Sequence, residues 1–244
     1  VEKTWKLTPM KLNGIRKVEN ISKTYDGTPY VELLKSALTF FDENYNPTTI
    51  PDDVYEITDA RFMRRLEDNK TYENSPEAGG GKTIVFTVTL KSDNYVLVEH
   101  EYNNGIRTET EKKSAEYYFA TSDENAFRIN QAEVPEEAVG ELTITNGLAE
   151  TYSLKLSDLL PELDSPRDYG TVEYGRPETN LGVGSFVTEV NSKTDALTFK
   201  VVDRSGTDEG RFGTIRIPVT TENYKPFTLT INVSAVNKLF PLVD

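Results

Sequence analysis

In residues 221–236, Phe227, Leu229, Ile231 and Val233 alternate with Thr228, Thr230, Asn232 and Ser234. A period of two predicts a strand with one face in a core and the other in water. Residues 84–98 repeat the device. Ile84, Phe86, Val88 and Leu90 alternate with Val85, Thr87 and Thr89, and Ser92-Asp93-Asn94-Tyr95 parallels Thr221-Glu222-Asn223-Tyr224. The doubled pattern predicts two β units. Shorter alternations predict strands around Trp5, Leu142, Tyr152, Leu197 and Ile215, while Val31, Leu34, Leu38 and Phe41 fit helical spacing and Ala37 to Phe41 serves equally as a strand. Asn103-Asn104-Gly105 predicts a tight hairpin, because Asn-Gly tolerates the positive φ angles of a type I′ turn. Ser157 to Pro161 predicts a single helical turn, with Ser157 accepting its free amides and Pro161 ending it. The pattern pauses in the acidic stretch Glu133 to Gly140, which sets the expected boundary. One module is expected over residues 1–135, with a hairpin projecting near 99–110, and a second over 136–244.

The length of 244 residues suits one large or two ordinary domains. Lys and Arg number 27 against 40 Asp and Glu, a formal charge of −13. Such a field opposes nucleic acid and anionic membranes, whose phosphates need basic clusters. There is no cysteine, which removes disulfides, thiol catalysis and thiolate-bound zinc. No apolar run reaches the roughly 20 residues of a spanning helix, and no signal peptide is visible. A chain that begins at Val1 leaves export open.

Candidate chemistry is sparse. The one histidine, His100, is the sole candidate for a histidine general base, and it falls in the polar hairpin. Ala78-Gly79-Gly80-Gly81-Lys82-Thr83 looks like the end of a phosphate loop. Pro76 stands where that motif needs glycine, however, and the segment leads into a strand instead of a helix. Gly184-Ser185-Phe186 lacks the spacing of a nucleophile elbow. With 40 acids, any chosen carboxylate pair is uninformative about glycoside hydrolysis. No catalytic residue is therefore assigned. Asp203, Asp208 and Glu209, in a loop hinged at Gly206 and Gly210, offer the oxygen ligands calcium takes, but without EF-hand spacing, and Arg204 and Arg211 compete for them. The expectation is no cofactor beyond a weak calcium site. Trp5 reads as a core anchor or a sugar-stacking ring. The pairs Phe40-Phe41 and Tyr117-Tyr118 each put one ring outside if extended, as a stacking platform or a covered edge.

Lys23-Thr24-Tyr25-Asp26-Gly27-Thr28, Ala60-Arg61-Phe62, Ala78-Gly79 with Gly81-Lys82-Thr83, and Ser92-Asp93-Asn94-Tyr95 occur in that order. Together they resemble the YDG/MBG-type immunoglobulin-like repeats of large bacterial cell-surface proteins, over roughly residues 20 to 100. Residues 138–238 also resemble modules of Gram-positive surface proteins, through Tyr152 to Pro161, Tyr169-Gly170 and Asn223 to Phe227. The fold so implied is all-β, two immunoglobulin-like β-sandwich modules in tandem. Asp59 to Phe62 is then a strand end and Glu67 to Glu77 an insertion. The implied role is a non-catalytic structural or adhesive segment of a secreted or wall-attached protein, a spacer or interaction module among neighbouring modules of a longer chain. Expected partners are host or cell-wall glycan or protein. The alternative is a pair of carbohydrate-binding modules using exposed aromatics.

Overall fold

A computed structural model describes residues 8–68, 70–146, 150–180, 187–202 and 209–237. Trp5 and Gly184-Ser185-Phe186 lie outside them. The fold is all-β, and the helical residues that are described are three short 3-10 turns. The chain divides into two compact units, Val1–Asn130 and Gln131–Asp244. The stretch Glu133 to Gly140 belongs to the second unit, because Ala132 O accepts the Lys225 amide at 2.9 Å and Ala138 O accepts the Thr230 amide at 2.9 Å.

Among the described residues, the first unit holds eleven strands: β1 (Met10–Val18), β2 (Ser22–Thr24), β3 (Leu38–Asp42), β4 (Pro47–Thr48), β5 (Tyr55–Arg65), β6 (Tyr72–Asn74), β7 (Thr83–Leu90), β8 (Tyr95–Asn103), β9 (Ile106–Lys112), β10 (Ser114–Phe119) and β11 (Arg128–Asn130). One sheet runs β4-β3-β1-β8-β9, the other β10-β7-β5-β6, and β11 pairs with β2. The first two sheets face each other: Phe40 of β3 meets Tyr55 of β5 edge-on, with ring centroids 5.0 Å apart. Ile84, Phe86, Val88 and Leu90 of β7 fill the space between, as their alternation predicts. Gly14 of β1 sits at φ +84°, and a Cβ there would lie 3.0 Å from the Tyr117 hydroxyl of the opposite sheet.

The open segment Val31 to Phe41 resolves into a 3-10 turn at Lys35–Ala37 followed by β3. Phe40 is buried and Phe41 half-buried. The Asn-Gly hairpin joins β8 to β9, with Asn103 opposite Ile106, Asn104 at φ 52° and Gly105 at φ 80°. Asp59 to Phe62 is not a strand end. It lies inside β5 at a bulge, where Asp59 adopts φ 54° and the register shifts between Thr58 and Arg61. Bulges add a residue without ending a strand, so the strand end that the resemblance implied is a bulge within β5.

The second unit holds β12 (Val139–Asn146), β13 (Thr151–Lys155), β14 (Val172–Tyr174), β15 (Glu178–Thr179), β16 (Val187–Lys193), β17 (Ala196–Val201), β18 (Gly210–Thr221) and β19 (Phe227–Asn237). One sheet runs β12-β19-β18-β14, with β15 also on β18, and the other β13-β17-β16. Leu229, Ile231, Val233 and Ala235 of β19 are all buried, while Thr228, Thr230, Asn232 and Ser234 are not. They share one core with Leu197, Phe199 and Val201 of β17 and Ile215, Ile217 and Val219 of β18. The helical turn is the 3-10 turn Ser157–Leu159, but Ser157 does not cap it. Asp195, from the β16–β17 hairpin, does so instead, accepting the Ser157 amide and hydroxyl.

Candidate functional site

The signature residues of the first unit are joined to its fold. Lys23 Nζ, with its side chain only 12% exposed, lies 2.6 Å from Asp26 Oδ1 and also reaches Thr28 O at 3.0 Å and Tyr30 O at 2.7 Å. Asp26 Oδ1 accepts the Thr28 amide and hydroxyl, closing the turn around Gly27. Burial alone would raise the Asp26 pKa, but Lys23 and Thr28 outweigh it and hold the carboxyl below its ordinary value. The Tyr25 amide donates to Asn130 O at 2.8 Å. Phe62 N donates to Pro29 O, and Phe62 O accepts the Ser75 amide. Gly79 exchanges both backbone bonds with Ile129, and the Lys82 amide donates to Phe127 O. The Lys82 side chain is buried and donates to Ser75 Oγ, so it is packed inside the unit, not presented to a phosphate. Gly80 passes so close to residue 124 that a Cβ would lie 1.8 Å from Glu124 O.

His100 is also committed. Its Nε2 pairs with Asn13 Oδ1 at 2.8 Å, and Arg107 Nε donates to its Nδ1 at 3.1 Å. The cavity beside it, lined by Lys11, Asn13, Glu43, Arg107 and Glu109 among others, holds about 30 Å³. That is room for about one water, not a substrate.

Of the calcium candidates, Asp203 and Asp208 lie outside the described residues. Glu209 is described, and its Oε1 accepts the Asn237 amide at 2.7 Å, which ties it to the end of β19. Among the described residues no group of three or more His, Asp or Glu is placed to hold a metal.

The arrangement with the most open chemistry is the outer face of the β10-β7-β5-β6 sheet. In register across it lie Tyr118 of β10, Val85 of β7 and Arg61 of β5, with Arg65 of β5 opposite Tyr72 of β6. Tyr118 is 49% exposed, whereas its neighbour Tyr117 turns inward and stacks on Phe86, centroids 5.8 Å apart. The consecutive tyrosines thus divide between the faces. Tyr118 and Tyr72 lean toward each other over β7 and β5 until their rings are 5.4 Å apart at 45°. Val85 is fully buried although it belongs to this outer face, so the rings and their neighbours cover it. Arg61 Nη2 lies 3.1 Å from Glu116 Oε1, the Tyr118 hydroxyl donates to Glu116 Oε2, and the Arg65 guanidinium sits 6.0 Å from the Tyr72 ring centre. The Glu116 hydrogen bond, then burial, raises the Tyr118 pKa above its ordinary value. Tyr118 was legible in the sequence. Tyr72 was not, because it sits in the expected insertion and only the fold brings it to Tyr118.

No family model and no curated protein matches the chain. Among solved structures, it is similar to the endo-fucoidan hydrolase MfFcnA4 of glycoside hydrolase family 107, with 12% identity over 95% of this chain and 28% of that one, at a TM-score of 0.25. It is similar also to the endo-fucoidan hydrolase MfFcnA9 of the same family, with 10% identity over 92% of this chain and 34% of that one, at a TM-score of 0.24. The chain spans about a third of the length of these structures. Scores of this size carry no argument about activity.

Proposed function

We propose that the chain is a non-catalytic structural and adhesive segment of a secreted or wall-attached bacterial surface protein, built of immunoglobulin-like modules and serving as spacer and interaction surface. The observation that carries this reading is the placement of the signature residues. Lys23, Asp26, Gly79 and Lys82 bond or pack within the first unit, which leaves them no part in chemistry on a substrate. The test is location: protease added to intact producing cells should remove the protein while a cytoplasmic marker survives. Protection from protease until the cells are lysed would overturn it.

A second reading, carbohydrate binding, is favoured by the Tyr72–Tyr118 pair. Two tilted rings beside Arg61, Glu116 and Arg65 offer a π-face for the C–H side of a sugar and polar groups for its hydroxyls. A glycan array of the purified chain decides between the two. Signals lost in Tyr118→Ala, with its melting temperature unchanged, support this reading, and a blank array rejects it.

A further inference from the structure

We propose that the second unit is a shear clamp that bears tension along the chain. A spacer need not resist force, so the inference goes beyond the reading above and stands on β12 and β19 alone. These two strands, the first and last described in the unit, are parallel neighbours in register from Val139 opposite Thr230 to Asn146 opposite Asn237. The approach to β12 follows the same line: Ala132 bridges Tyr224 in parallel, and Ala138 O accepts the Thr230 amide. The chain therefore enters at one end of this ladder and leaves β19 at the other, roughly 23 Å further along the strand direction.

Tension between the two ends slides β12 along β19 without lifting it away. The evenly spaced, slanted bonds of this parallel ladder all resist sliding and load together, whereas a pull that separates the strands from one end breaks them in turn. The backing is firm. β19 pairs with β18 from Phe227 opposite Val219 to Ala235 opposite Gly210, and its inward side chains are sealed in the core. β12 is an edge strand, held to the core by the buried Ile144. Two side-chain links also resist sliding: Asn232 Nδ2 donates to Glu141 Oε1 at 2.7 Å, and Lys225 Nζ lies 2.5 Å from Glu133 Oε1.

The absence of cysteine allows thiol handles to be placed at will in the full chain. Glu136→Cys with Val236→Cys, both exposed, pulls along the ladder. Glu137→Cys with Thr228→Cys, also exposed, pulls across its beginning. Val139→Cys with Thr228→Cys replaces the second pair if it lowers the urea midpoint. In single-molecule force spectroscopy on variants with matching urea midpoints, the rupture force along the ladder should exceed that across it several-fold at the same loading rate. Equal forces, or a weaker response along the ladder, would overturn the clamp and leave the spacer reading untouched.

Discussion

Asp195 Oδ1 accepts the amide of Ser157 at 2.7 Å, and its Oδ2 the hydroxyl of the same residue at 2.9 Å. The bond joins the β16–β17 hairpin to the turn that leaves β13, continuing the β13–β17 pairing past Lys155 opposite Ala196. Asp195→Ala should cost about 0.5–1.5 kcal/mol in urea unfolding, since it removes the acceptor that caps the turn and leaves both exposed donors to water. Burial alone would raise the Asp195 pKa, but Ser157, Lys155 and Tyr174 together hold it below the ordinary 3.8. A depressed carboxyl adds stability above that ordinary value and loses it as pH falls through the folded one. The gap between wild type and Asp195→Asn should therefore narrow in urea midpoints measured from pH 7 down to below pH 3.8. A gap constant across that range would contradict it.

At the alkaline end the tyrosines act. Burial pushes Tyr117 up to about 12, and burial with the nearby Asp195 charge does the same to Tyr174. A raised phenol adds stability that is complete below its unfolded value near 10 and is lost as pH climbs through the folded value. Unfolding followed by tyrosinate absorbance should set in between pH 10 and about 12. Tyr117→Phe should move the first unit's alkaline midpoint upward.

Ile231 is fully buried and its neighbour Thr230 is not. Ile231→Ala should cost about 2–5 kcal/mol through lost burial and a cavity, and Thr230→Ala about 0.5 kcal/mol. Denaturant titration of both variants reads the ratio directly, and equal costs would refute the register.

Gly80→Ala places a methyl group 1.8 Å from Glu124 O. The obstacle is backbone, so the loop must move. The variant should lose about 2 kcal/mol or more, in the upper range for a single change. Calorimetry checks it, and a wild-type melting temperature would show that the glycine answers to something else.

What the sequence made legible was what period and turn chemistry encode locally. The β19 alternation survives intact because β19 has a core on one side only, and the Asn104-Gly105 turn forms because its φ requirements are intrinsic to those residues. Val85 departs from its pattern: it reads as an outward position yet is fully buried. Tyr118 and Tyr72 lean in from the two edges of the sheet, and nothing near Val85 in the chain announces them. The Ser157 cap failed for the same reason, since a carboxylate 38 positions away supplies it. The bulge at Asp59 concealed the continuity of β5. The candidate glycan face was half legible, through Tyr118 and Glu116 two residues apart on one strand, while Tyr72 and Arg61 reach them only in the folded sheet.

The signature residues of the first unit bond and pack to build it, and Lys23 tests this most directly. Its ammonium satisfies Asp26, Thr28 and Tyr30 at once, within a side chain that is 12% exposed. Lys23→Met keeps the apolar stem and removes the charge, leaving those acceptors without their donor. The urea unfolding free energy of the first unit should fall by about 1–3 kcal/mol, with the second unit's transition in place. Wild-type stability in Lys23→Met would contradict the account, because a lysine so enclosed that did not support the fold would have to be kept for another purpose.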